Sequence, residues 1–260
     1  MALLLGMDTA SPVGLVFVGN EQKVIAAAHF GREAASRKIM TALDGVLKTA
    51  SRTREQVDAV VVNPGPGSLT GIKVGLAFAR TFCQVMRKPL IGVSSLDALA
   101  YSLSVSAHGV VASDTPPPVL VPLSRAIRGE VYYAFYSIPP PTRNSEPRSA
   151  VPVRVTPYQR AAAESLIAAL ESACAQAGKA RTAPLIFGGD AAPEHARRLA
   201  KVGFVIGDAL FPTPLAYLQC AFSSAGARLS KPGPRSWTSV KPIYLFPPPI
   251  ATTRKRQRTE

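Results

Sequence analysis

Cysteine is scarce in this chain: Cys83, Cys174 and Cys220 are three in number, far apart, and form no CxxC pair. An odd, scattered set excludes a disulfide framework, a zinc ribbon and a dithiol redox centre, and leaves buried free thiols. Histidine is equally sparse, with His29, His108 and His195 in no HxxxH or HExxH arrangement. Two imidazoles therefore do not share a helical face, which excludes a histidine metallopeptidase. Acidic residues are few, 16 Asp and Glu against 30 Lys and Arg, for a net charge of +14 and a pI of about 10.1. Charged residues make up only 18% of the 260 positions, below the roughly 25% of typical soluble chains, so a disordered basic tail does not describe the whole. No apolar run approaches the roughly 18 residues of a membrane span, and residues 1–6 lack a signal peptide's basic start and cleavage site. The expectation is a soluble cytoplasmic protein with no membrane association.

What is abundant is apolar: 47% of residues are hydrophobic, enough for a large core. A length near the limit of about 250 residues for one core favours two lobes. Residues 2–7, 14–18 and 23–29 read as three short strands separated by turn signals at Ser11-Pro12 and Gly19-Asn20. Ile39, Leu43, Val46, Leu47 and Ala50 then recur at helical spacing within residues 33–50. A strand at 57–62, a helix at 70–87, a strand at 89–93 and a helix from 95 to about 103 complete a first lobe over residues 1–105. Residues 106–245 repeat the order more loosely, with strands at 119–122, 131–137 and 151–155 and a helix at 157–177. A strand at 185–187, a helix at 193–201, a strand at 204–206 and a last helix at 214–229 follow, the last a candidate to pack back on the first lobe. No residue-level repeat accompanies this repeated order. Prolines total 24 and gather in triplets at positions 116–118, 139–141 and 247–249, which stiffen surface connections. The first lobe carries 11 basic and 7 acidic groups and the remainder 19 and 9. A proline-rich, basic tail at 246–260, with Arg254, Lys255, Arg256 and Arg258, is expected to be disordered.

The most informative stretch is the glycine-rich turn at residues 63–75, between an apolar strand and a helix start. Backbone N–H groups at such a helix start form an anion nest, so Gly65, Gly67, Ser68 and Thr70 could hold a phosphate. The known phosphate signatures fail: Thr70 and Ile72 stand where GxxxxGK[ST] needs glycine, and Thr70 breaks GxGxxG read from Gly65. Phosphate contact and a purely structural turn both stay open. Asp8 and Thr9, after the first strand, could help hold Mg²⁺ or a phosphate-bound water, or simply cap a turn. No paired acids and no nucleophile with a base stand near them.

In the helix that follows, Gly71, Gly75, Ala79 and Cys83 recur every four residues as a ridge of small side chains, which admits a close neighbour. Ile72, Val74, Leu76, Phe78, Phe82, Val85 and Met86 leave little polar surface around it. One side covers its own sheet. The other packs on the helix at 33–50 within the lobe or forms a helical interface with another chain. Each glycine inside a helix costs about 1 kcal/mol relative to alanine, so two of them imply a compensating packing gain.

Three blocks resemble the TsaB family: residues 8–10 (DTA) ending the first strand, residues 65–75 (GPGSLTGIKVG), and residues 91–99 (IGVSSLDAL). The family reads GPGSFTGLRIG and GVSSLEAL at the latter two. Residues 129–132 resemble its GEVY and residues 240–245 its closing EPVYL. The resemblance implies an α/β chain of the actin/Hsp70/sugar-kinase-like (ASKHA) fold, two lobes each with a mixed sheet and flanking helices. It further implies a non-catalytic subunit of the machinery that makes N6-threonylcarbamoyladenosine in tRNA. Such a subunit pairs with a catalytic paralogue of the TsaD type, acts with a TsaE-like ATPase, and meets tRNA only through the complex. On this reading Gly71, Val74, Gly75, Phe78, Ala79 and Phe82, with the helix at 33–50, dock a TsaD helix, and Gly75→Arg should abolish docking while leaving much of the fold. No cofactor is required, Asp8, Thr9, Gly65, Gly67, Ser68 and Thr70 are at most a vestigial phosphate site, and ATP or ADP could sit at the interface with partners. Homodimerisation through the same ridge stays open. The chain departs from the family at Ala34, where many members have histidine, and at Arg125-Ala126-Ile127, where many read DAR. Two other readings remain: an active ATPase or small-molecule kinase of the same fold, and a basic tRNA-binding adaptor.

Overall fold

The computed structural model describes residues 1–31, 35–107, 116–140, 150–162, 164–176, 183–225 and 236–245. Ala34, His108, residues 226–229 of the expected last helix and the tail at 246–260 lie outside them.

The first sheet has strand order β3-β2-β1-β4-β5. It is built from β1 (Leu4–Asp8), β2 (Val13–Gly19), β3 (Val24–Gly31), β4 (Ala59–Val62) and β5 (Leu90–Gly92). The three meander strands are antiparallel, and β4 and β5 are added in parallel. Both faces of this sheet are buried, which is why β1 and β4 read as unbroken apolar runs. On one face Leu5, Met7, Val16, Val60 and Val62 pack with α1 (Ala35–Thr49) and α2 (Leu69–Met86). On the other, Leu4, Phe17, Ala59 and Val61 meet α3 (Ser95–Ser106) and α6 (Pro214–Ala225). The helical spacing in α1 corresponds to a buried stripe of Ile39, Leu43, Val46 and Leu47.

The second sheet repeats the scheme as β10-β7-β6-β11-β12, with β8 and β9 attached beside β6. Its strands are β6 (Val119–Arg125), β7 (Glu130–Tyr133), β8 (Tyr136–Ser137), β9 (Val153–Arg154), β10 (Gln159–Ala162), β11 (Leu185–Gly188) and β12 (Gly203–Val205). Its helices are α4 (Leu166–Gln176) and α5 (Ala192–Leu199). Two sheets with the same strand order and flanking helices make the ASKHA architecture.

Two elements differ from the sequence expectation. The helix expected over 157–177 is split: residues 159–162 pair with β7 in antiparallel register, and the helix starts only at Leu166. Partner strands, not local propensity, decide a short segment of this kind. The strand expected over 131–137 is also split, because β7 and β8 pair with different stretches of β6. Within residues 236–245, Trp237 and Val240 pack on the α1–α2 core, and Leu245 packs on the cluster between α3 and the second sheet.

Candidate functional site

The glycine-rich turn joins β4 to α2 beside the end of β1, and Asp8 stands at its centre. Asp8 is only 2% exposed, and four donors converge on its carboxylate. Oδ1 accepts from the backbone N–H groups of Ala10 (2.9 Å) and Ser11 (3.0 Å) and from Asn63 Nδ2 (2.8 Å). Oδ2 accepts from the Tyr217 hydroxyl at 2.6 Å. Burial and the adjacent Asp8 carboxylate push the Tyr217 phenol well above its ordinary value, so it stays a donor. The Tyr217 ring stacks on Phe17 at 5.9 Å. A hydrated cation could reach Asp8 only by displacing Asn63 or Tyr217.

The loop's other polar groups are also committed to the fold. Asn63, fully buried, accepts at Oδ1 from Gly65 N (2.9 Å) and Ser95 N (3.1 Å). Thr9 Oγ1 donates to the Gly71 carbonyl at 2.7 Å. Ser68 caps α2, accepting from Gly71 N at 3.3 Å, and its own N–H donates to the Ala10 carbonyl at 2.9 Å. Gly65, at φ +113°, leaves 2.7 Å between an added Cβ and the Ile243 carbonyl, and Ile243 N donates to the Pro64 carbonyl at 2.8 Å. Thr70 is exposed. The expected phosphate residues are thus brought together, with Ile243 against Gly65, Gly67 and Ser68 half-buried and Thr70 exposed. The Asp8 carboxylate and the Thr9 hydroxyl are engaged in hydrogen bonds within the fold.

The small ridge of α2 requires a correction. Gly71, Gly75, Ala79 and Cys83 are buried, and they face the chain's own sheet. A Cβ on Gly71 would overlap the Thr9 carbonyl, and one on Gly75 would overlap Thr9 Oγ1. The glycines let α2 lie directly on the end of β1, so they cannot touch a partner. Of the expected docking set, Val74, Phe78 and Phe82 are half-buried, and both phenylalanines pack on the core. The outward surface of these helices instead presents Lys73, Ala77, Thr81 and Val85 on α2 and Lys38, Met40 and Thr41 on α1. Met40 is 44% and Val85 72% exposed.

The lobes meet through α3. Asp97 accepts from the Tyr136 hydroxyl (2.7 Å) and the Tyr158 hydroxyl (2.8 Å), with Arg154 Nε 3.8 Å away and its guanidinium 3.9 Å from the Tyr158 ring centre. Burial, then the Asp97 charge, raise both phenols. Farther along α3, Leu99 and Leu103 lie against Gly189 and Gly188 at the end of β11. At the departures from the family pattern, Arg125 Nη2 pairs with Glu194 at 2.6 Å and Ile127 is exposed. Sequence reasoning missed Asn63, Tyr217 and the Asp97 cluster. Only Asn63 left a local signal, a polar residue closing an otherwise apolar strand.

A family model described as TsaD, tRNA N6-adenosine threonylcarbamoyltransferase, matches residues 30–151. An uncharacterized protein of Mycobacterium tuberculosis is 32% identical over 145 residues, 52% of this chain and 60% of that one. The tRNA threonylcarbamoyladenosine biosynthesis protein TsaB of Escherichia coli is 28% identical over 133 residues, 51% of this chain and 54% of that one. The matches thus span about half of this chain and less than two thirds of these relatives. Among solved structures, YeaZ from Pseudomonas aeruginosa covers 94% of this chain and 100% of its own, with a TM-score of 0.68 at 18% identity, a likeness of fold. About half of the chain is thus similar in sequence to TsaB proteins, and its fold is that of YeaZ.

Proposed function

We propose that this chain is a non-catalytic scaffold subunit in the synthesis of N6-threonylcarbamoyladenosine in tRNA. It binds and stabilises a catalytic paralogue of the TsaD type and acts with a TsaE-like ATPase in the cytoplasm. The E. coli and Bacillus subtilis relatives named for threonylcarbamoyladenosine biosynthesis support the pathway. The observation that carries the non-catalytic role is the Asp8 joint: the carboxylate and hydroxyls that a kinase of this shape would spend on a nucleotide are held by Asn63, Tyr217 and the backbone. An active kinase or ATPase is disfavoured for the same reason. Any ATP or ADP in the assembly then sits with the partners or at their interface, and tRNA is modified by the complex.

The docking face is the outer surface of α1 and α2, where Met40 and Val85 expose apolar area beside the half-buried Val74, Phe78 and Phe82. The paralogue should present a matching helical layer, and a second copy of this chain is the competing occupant in its absence. Co-expression with the organism's own TsaD is the test. A Met40→Glu/Val85→Glu variant should lose co-purification and tRNA modification while its thermal midpoint stays within a few degrees of the parent, since both side chains are exposed. Undiminished binding by that variant, or ATP-driven product formation by the chain alone, would overturn the proposal.

A further inference from the structure

At the outer end of the second sheet, α5 and the edge strand β12 enclose an open groove of about 550 Å³, lined by Ala196, Ala200, Gly203, Phe204 and Val205. The linings are small except for Phe204, which is 49% exposed. Val205, not Phe204, packs on the core of this lobe. Arg197, near the end of α5, and Lys201, in the turn beyond it, each follow a groove-lining alanine by one position, and both are exposed. Two exposed cations thus neighbour the groove lining in sequence. Of the nearby carboxylates, Glu194 is paired with Arg125, and Asp208 is exposed in the loop after β12.

We propose that this groove holds a single-stranded or looped segment of RNA, with a base on the face of Phe204 and the flanking phosphates against Arg197 and Lys201. The argument is one of complementarity. A planar base needs a flat aromatic face with small neighbours and nearby cations, and stacking tolerates any base. The groove is open, which leaves the Phe204 face accessible to a stacked base. The net charge of +14 favours a polyanion over a neutral occupant. The choice of RNA among polyanions rests on the tRNA-modification reading above. The groove itself does not, since it belongs to the second sheet while the proposed docking face belongs to the first.

Fluorescence anisotropy of the full chain with a labelled single-stranded oligoribonucleotide and with bulk tRNA, over a salt series, tests the assignment. Phe204→Ala should weaken binding about tenfold with the salt slope unchanged. Arg197→Glu/Lys201→Glu should weaken it further and flatten the slope of log K against log salt by about 1.4, two phosphates at roughly 0.7 each. No binding by the parent chain at low salt would overturn the proposal. So would an effect of charge reversal without one of Phe204→Ala, or loss of binding only on deleting residues 246–260. An acidic protein that is lost from the groove variants while RNA affinity persists would also overturn it. The Met40→Glu/Val85→Glu variant should keep RNA affinity, and the groove variants should keep TsaD. Failure here is therefore distinguishable from failure of the scaffold reading.

Discussion

Gly71 shows how one missing side chain places an element. A Cβ added to it would overlap the Thr9 carbonyl, and the Thr9 hydroxyl donates to the Gly71 carbonyl at 2.7 Å. A methyl group there meets backbone, which cannot rotate away, so α2 must lift from β1 and stretch that hydrogen bond. Gly71→Ala should cost about 2–3 kcal/mol, read as a lower urea midpoint at unchanged m-value. Gly45, where nothing lies within 4 Å of an added Cβ, serves as the control. There Gly→Ala should stabilise α1 by about 0.5–1 kcal/mol. By the same reasoning Gly75→Arg would disrupt the core rather than a docking surface alone. The four-residue spacing of small side chains was legible in the sequence, but its direction was not. A stripe has no sign until the sheet beside it is known, and the apolar residues around α2 pointed equally well either way.

Among the elements, α3 carries the junction between the lobes. Asp97 gathers the hydroxyls of Tyr136 and Tyr158 from the second lobe, and removing it leaves two phenols without their acceptor. Asp97→Ala should therefore destabilise the chain by about 3 kcal/mol, two hydrogen bonds to a charged group less the screening of a partly exposed carboxylate. Hydrogen exchange should accelerate at β8 and β10 more than in β1. Asp97→Glu should restore most of the protection. Most helices and strands were readable from periodicity because they bury an apolar stripe or both faces. The 157–177 region was not. Its strand Gln159–Ala162 exists through pairing with Tyr133, Tyr132, Val131 and Glu130, and its own residues Gln, Arg, Ala and Ala carry no strand pattern.

For the molecule as a whole, long-range closure distinguishes this chain from a pair of beads. Helix α6 returns to the first sheet and delivers Tyr217 to Asp8 across 209 residues of sequence. The 236–245 segment returns to α2, where Arg80 Nη2 donates to the Val240 carbonyl at 2.7 Å. Tyr217 at the α6 closure and Tyr136 at the α3 junction contribute to a loss of stability at alkaline pH. In the folded chain Tyr136 and Tyr217 have phenols raised well above their ordinary value, while in the unfolded chain they ionise near pH 10. Their contribution is fully present below that pH. Above it the unfolded state loses protons that the folded state keeps, so stability falls with rising pH by up to about 1.4 kcal/mol per unit for each tyrosine. Urea midpoints should begin to fall above about pH 8.5, where unfolded thiols ionise while buried Cys83 and Cys220 stay protonated, and fall more steeply above about pH 10, and Tyr136→Phe/Tyr217→Phe should flatten that steeper part. By itself the sequence determined most of the elements of the first sheet, the glycine turn and the apolar faces, because these are local patterns that burial imposes at periods of 2 and 3.6 residues. Only the tertiary structure decided that the turn is closed by Asn63, Tyr217 and Ile243, that the small ridge faces inward, and that α3 joins the lobes. Each of these depends on which distant residue arrives, and spacing along a chain does not encode arrival.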